Sequence, residues 1–139
     1  MAKPRSRQRR LRRVGLAYQL GPPYLEQITH GILRYAQENG PWEIVSSPEG
    51  ADLSTDSLAT WDGDGVIAML ETGSQIASAR ALSRPVVNLA TSQGTPGIVT
   101  VSGDQKKIGH LAANHLLAKN FRRFGYYGLK NIRYSAERL

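Results

Sequence analysis

Hydrophobic positions follow two rhythms along this chain. Short runs read as strands: RVGLAYQL (13–20), WEIVSS (42–47), GVIAML (65–70), PVVNLA (85–90) and GIVTV (97–101), and GVIAML is a continuous apolar run of the kind buried on both faces in a parallel sheet. RRFGYYGL (122–129) reads as the last strand. Between the runs, apolar residues recur at helical spacing. Leu25, Ile28, Ile32, Leu33, Tyr35 and Ala36 mark a helix that opens after Gly21-Pro22-Pro23 and stops at Asn39-Gly40-Pro41. A short helix is expected over 52–61, with Leu53, Leu58 and Trp61 on its apolar face. Another is expected over 74–83, with Ile76, Ala79 and Leu82 inward. Asp104 suits the cap of a longer helix to Lys119, whose Ile108, Leu111, Ala112, His115 and Leu116 would face a core. A last helix begins at Arg133.

Strands and helices therefore alternate. That order predicts an α/β fold: a doubly wound, Rossmann-like parallel sheet with helices on both faces and right-handed crossovers. At 139 residues the chain can hold one substantial core. With no cysteine, a disulfide framework, a thiolate nucleophile and a zinc–thiolate site are excluded.

Charge changes the picture at one end only. The formal net charge is +7, and Lys3, Arg5, Arg7, Arg9, Arg10, Arg12 and Arg13 all precede Val14. The remaining eleven Lys and Arg are matched by 11 Asp and Glu, so the body is neutral and the high pI belongs to the leader. MAKPRSRQRRLRR lacks the apolar core of a secretory signal. A disordered solubilising leader over 1–13 is one reading, and a phosphate-contacting arm is the other.

In open parallel sheets, ligands bind beyond the carboxyl ends of the strands. Tyr18, Gln19 and Tyr24 follow the first run; Glu71 and Thr72 follow the third; Thr91, Ser92 and Gln93 follow the fourth. Asp104 follows the fifth, and Lys130, Asn131, Arg133, Tyr134, Ser135 and Arg138 follow the last. Amides, carboxylates and aromatic rings of this kind suit a neutral polyhydroxyl ligand. They do not form a catalytic set. His30, His110 and His115 sit in helical segments, and no histidine or carboxylate spacing offers a metal site. GLAYQLGPP has the wrong spacing for a dinucleotide loop, and no Gly-Lys-Ser/Thr phosphate loop is present. A phospho-accepting receiver domain would need carboxylates where Tyr18-Gln19 and Met69-Leu70 stand.

Three stretches carry a resemblance: WDGDGVIAML, DQKKIGHLAANHLLAKNFRRFGYYG and RRFGYYGLKNIRYSAERL. Together they resemble the amino-terminal lobe of the lactose-repressor-type, periplasmic-binding-protein-like ligand-binding domain, and within that superfamily the xylose operon regulators. The resemblance covers about 14–139. It implies one lobe of a sugar-binding regulatory domain, with a second lobe and an arabinose-regulator-type DNA-binding domain outside this chain. The chain is thus expected to be a piece of a longer regulator, not an enzyme and without cofactor. A small-molecule sugar, with a pentose favoured, is the implied ligand. DNA would be bound through a domain not in this chain, and the implied setting is a cytoplasmic homodimer with no membrane contact. By carry-over the ligand-binding residues are Tyr24, Glu71, Thr91, Asp104 and Arg138. The aspartates and glycines of Asp62-Gly63-Asp64-Gly65 are expected to be structural. The rival class is a stand-alone doubly wound domain or small enzyme acting on a phosphorylated or nucleotide ligand.

Overall fold

The computed structural model describes residues 10–46 and 61–139. The expected helix over 52–61 lies outside these residues except for Trp61, as does the leader before Arg10. Five strands and four helices are described: β1 (Arg12–Ala17), α1 (Pro23–Asn39), β2 (Trp42–Ser46), β3 (Gly65–Ala68), α2 (Gly73–Ala81), β4 (Val86–Asn88), β5 (Val99–Thr100), α3 (Gln105–Ala118) and α4 (Arg133–Glu137). All strand pairs are parallel, in the order β2-β1-β3-β4-β5.

The apolar runs explain the layering. Successive strand side chains point to opposite faces, so a continuous run feeds two cores. Ala17, Val66, Ala68 and Leu70 face α2 and pack with its Ile76 and Ala79. Leu16 and Tyr18 face the other way and pack with Leu25 of α1, joined by Ile28, Ile32, Ile67 and Met69. Leu70 is fully buried, and burying a side chain of that size contributes about 2 kcal/mol. Pro23 opens α1 at a position whose amide needs no partner, and Pro22 accepts the first-turn amides of Leu25 and Glu26. Thr72 and Gln75 cap α2 reciprocally.

The Asp-Gly-Asp-Gly turn is structural. Asp64 Oδ2 accepts the Arg13 amide at 2.9 Å, and the Asp64 amide donates to the Arg13 carbonyl at 2.7 Å. Asp62 pairs with the Arg13 guanidinium at 2.6 Å. That guanidinium lies over the Trp61 ring, 5.5 Å from its centroid. Gly63 is required by a close approach: a Cβ there would fall within the Trp61 ring. The turn therefore anchors the amino end of the sheet.

Two expectations need correction. RRFGYYGL (122–129) forms no strand; every residue from Phe121 to Lys130 is exposed. Among the described residues, no amide from Arg122 to Gly128 donates a hydrogen bond. Pairing in the sheet ends at β5, and this segment runs beside α3 and α4 instead. An apolar β-leaning run with no neighbouring strand has no ladder to join. The face of α3 also differs. Its more buried positions are Gln105, Gly109, Ala113 and Leu116, whereas Ile108, Leu111, Ala112 and His115 are exposed. The reason is that α3 packs chiefly against α4, and neither core cluster contains any of its residues. Closest approach falls at Gly109, where a Cβ would collide with the Arg138 carbonyl.

Candidate functional site

The strand order reverses direction from β1 to β2 on one side and β3 on the other. A crevice at the carboxyl ends of β1 and β3 follows, which is where open α/β sheets take ligands. Tyr24, at the start of α1, and Met69, just past β3, meet there: the Tyr24 hydroxyl donates to Met69 Sδ at 3.6 Å. Tyr24 is about half exposed, at 52%, so its ring is available to a ligand. Partial burial raises its phenol above the ordinary value, helped by the nearby Glu71 carboxylate and by Tyr134. Tyr18 plays a different part. It is buried, and its hydroxyl meets Thr29 Oγ1 at 3.0 Å, which ties the end of β1 to α1. Burial raises the Tyr18 phenol, and the Thr29 bond works against that rise.

The backbone of Glu71 is held on both sides. Its amide donates to Gln75 Oε1 at 2.8 Å, and its carbonyl accepts the Gln93 side-chain amide at 2.7 Å. The Glu71 carboxylate itself is exposed and has no hydrogen bond among the described residues. Gln93 lies in the loop after β4, next to Thr91 and Ser92. Thr91 is half-buried, and the Ser92 hydroxyl is buried without a partner among the described residues. The Ser92 carbonyl accepts the Arg133 amide at 3.1 Å, which brings the start of α4 onto this loop.

From α4 the contacts run on to Arg138. Its guanidinium sits over the Tyr134 ring at 5.1 Å from the centroid and donates to Gln105 Oε1 at 2.8 Å. Arg138 is thus oriented by two neighbours rather than loose in solvent. Asp104 spends one carboxylate oxygen on the Lys107 amide at 3.0 Å as the cap of α3. Of the five residues the resemblance singles out, Tyr24 and Glu71 are brought together at the crevice. Thr91 stands on the loop that contacts Glu71 through Gln93. Arg138 joins through Tyr134, and Asp104 is placed beside Gln105 by sequence while serving as a cap.

Sequence reasoning missed Asn88. It is fully buried at the carboxyl end of β4. Its Oδ1 accepts the Leu70 amide at 3.0 Å and the Ala90 amide at 2.8 Å. Its Nδ2 donates to the Ala90 carbonyl at 2.8 Å. One side chain therefore aligns the ends of β3 and β4 just below Glu71 and Thr91. The available signal was a lone amide inside the apolar run PVVNLA.

Fold and edge together define a class: a doubly wound parallel α/β domain whose strand-end groups are hydrogen-bonding and aromatic. Among the described residues, no cluster of histidine and carboxylate ligands that could hold a metal is found. Comparison with known proteins narrows the class. The chain is 29% identical over 123 residues to the xylose operon regulatory proteins of Escherichia coli K12 and of Escherichia coli O157:H7, covering 84% of this chain. It spans about a third, 31%, of the length of these curated relatives. The structure of the xylose-binding transcription activator xylR superposes with a TM-score of 0.73 at 24% identity, covering 94% of this chain and 34% of that one. A transcriptional regulator from Yersinia pestis biovar Microtus str. 91001 superposes with a TM-score of 0.61 at 17% identity, over 91% of this chain and 49% of that one. No family profile matches the chain.

Proposed function

We propose that residues 14–139 are the amino-terminal, ligand-sensing lobe of a sugar-responsive transcription regulator, with a pentose such as xylose as ligand. The carrying observation is the continuous edge from Tyr24 and Glu71 through Gln93 to Tyr134 and Arg138. It offers an exposed aromatic face, a carboxylate with free acceptor capacity and an oriented guanidinium. Sugars are recognised by this combination of hydroxyl-directed hydrogen bonds and ring stacking. The proposed role of this edge is binding. Thr91 and Asp104 complete the proposed contacts. The curated relatives, which are regulatory proteins by name, support the same reading.

In the whole regulator, sugar bound between this lobe and a second one would shift the balance of lobe orientations. That shift would change how paired DNA-binding domains engage their sites. A cytoplasmic homodimer belongs to the same proposal. The test is saturation-transfer NMR of xylose, arabinose, ribose and glucose against this chain. Transfer to one pentose, lost in Glu71→Gln and in Arg138→Ala, is the expected result. Transfer that is equal for all four sugars and unchanged in both variants would count against the site.

A further inference from the structure

The backbone beyond β3 is held first by the sheet and then by side chains. The Met69 amide donates to the Ala17 carbonyl at 3.1 Å, and the Leu70 amide to Asn88 Oδ1 at 3.0 Å. From Glu71 on, two glutamines take over. Gln75 Oε1 accepts the Glu71 amide at 2.8 Å and the Thr72 amide at 3.0 Å. Gln93 Nε2 donates to the Glu71 carbonyl at 2.7 Å, from 22 residues away in sequence. The part played by Gln75 is local, because it also closes the capping box of α2. Gln93 caps nothing. It is exposed on the loop after β4, and its side-chain amide bonds only the Glu71 carbonyl among the described residues. Holding an exposed glutamine in one rotamer costs side-chain entropy, so a bond of this length has to offset that cost.

The kind of donor matters as much as its place. A lysine or arginine would serve the same carbonyl, but it would also set a cation beside the Glu71 carboxylate and use up its acceptor capacity. A primary amide donates without charge. The guanidiniums of α4 are engaged elsewhere: Arg133 pairs with Glu137 at 2.7 Å, and Arg138 lies over Tyr134 and bonds Gln105. The Glu71 carboxylate accordingly has no ion pair among the described residues. The same loop also reaches the far half of the edge, since the Ser92 carbonyl accepts the Arg133 amide at 3.1 Å. We infer that Gln93 is a positioning residue of the candidate ligand site: its uncharged amide fixes the peptide that carries the Glu71 carboxylate, and leaves that carboxylate free for the hydroxyls of a neutral ligand. This inference rests on the sugar-binding reading above.

The test compares the whole chain with Gln93→Met, which keeps the length of the side chain and removes the donor. Two quantities are read by NMR: the carbonyl carbon resonance of Glu71 in the sugar-free chain, and the dissociation constant in a xylose titration. In Gln93→Met the Glu71 carbonyl resonance should move, because it loses a bond made directly to it. The amide resonances of β1 and β3 should stay in place, which also shows that the variant folds. The dissociation constant for xylose should rise roughly fivefold, the equivalent of one ordinary hydrogen bond. A Glu71 carbonyl resonance that does not move would overturn the inference. So would unchanged xylose affinity in Gln93→Met where the parent binds, and the sugar-binding reading would then still stand. A parent chain that binds none of xylose, arabinose, ribose and glucose would overturn that reading, and the ligand role of Gln93 with it.

Discussion

At the scale of single residues, two side chains illustrate what polar groups do at the ends of an apolar sheet. Asn88 supports amides and a carbonyl that have no other partner among the described residues. Leaving such groups unpaired costs about 1–3 kcal/mol each. Asn88→Ala should therefore lower stability by roughly 3 kcal/mol or more, read as a shift in the urea midpoint at unchanged slope. Loss below about 0.5 kcal/mol would mean that water takes over these bonds. Asp64 works at the opposite end. The Arg13 amide holds its carboxyl below the ordinary 3.8, with help from Arg10, Arg84 and Arg12. Because the folded value is depressed, the ionised form favours folding above the unfolded value. That contribution fades as pH falls through the folded one. The melting temperatures of the parent and Asp64→Asn should differ at neutral pH and converge below about pH 4. A gap that stays constant into strong acid would show that the charge of Asp64 is irrelevant. Asn88 was hard to read in advance because an amide's partners are tertiary. The roles of Asp62 and Asp64 were legible because a turn supplies amides locally.

At the scale of elements, legibility followed the source of each element's stability. β1, β3, α1 and α2 bury faces that their own sequence periodicity announces, and all four were expected within a few residues. α3 was expected at the right place but with the wrong face. Its apolar stripe at Ile108, Leu111 and Ala112 points to solvent, while Gln105 and Gly109 turn toward α4. No pattern within a helix can say that its neighbour will be another short helix rather than the sheet. The contact at Gly109 has a clear consequence. A methyl group there meets the Arg138 carbonyl, so Gly109→Ala should push α4 away and loosen the Arg138–Gln105 bond. Overpacking of this sort costs typically 1–3 kcal/mol. The expected signature is a lowered melting temperature plus altered chemical shifts at Tyr134 and Arg138, with the shifts of β1 and β3 preserved. Uniform shift changes through the sheet would instead mean that the two parts are more tightly coupled than their packing indicates.

At the scale of the whole molecule, the chain divides by how its backbone is satisfied. The sheet has its ladders paired, and the apolar residues of β1 and β3 are covered on both faces, while Val99 of the edge strand β5 is exposed. Beyond it, Leu111, Phe121, Phe124, Tyr126 and Leu129 are each about half exposed, and Tyr127 is 95% exposed. Apolar surface on this scale usually marks a face that another body covers. The candidate site straddles the division, since Tyr24 and Glu71 belong to the sheet and Arg138 to the far part. Its two halves were legible as residue types but not as a joined edge, because the link runs through the Ser92 carbonyl and the Gln93 amide. Local stability should follow the same line. In hydrogen exchange, amides of Val14–Ala17 and Val66–Ala68 should be the slowest. Those from Arg122 to Gly128, which lack partners among the described residues, should exchange nearly as fast as an unfolded peptide. Tyr126 offers an internal check. Its hydroxyl holds the Ser135 carbonyl at 2.8 Å, and Ser135 Oγ accepts the Leu129 amide at 2.7 Å, so Leu129 should be slower than its neighbours. Strong protection across 122–128 would show that this segment finds a strand partner in solution, through self-association or rearrangement. Protection that rose with protein concentration would identify self-association as the cause.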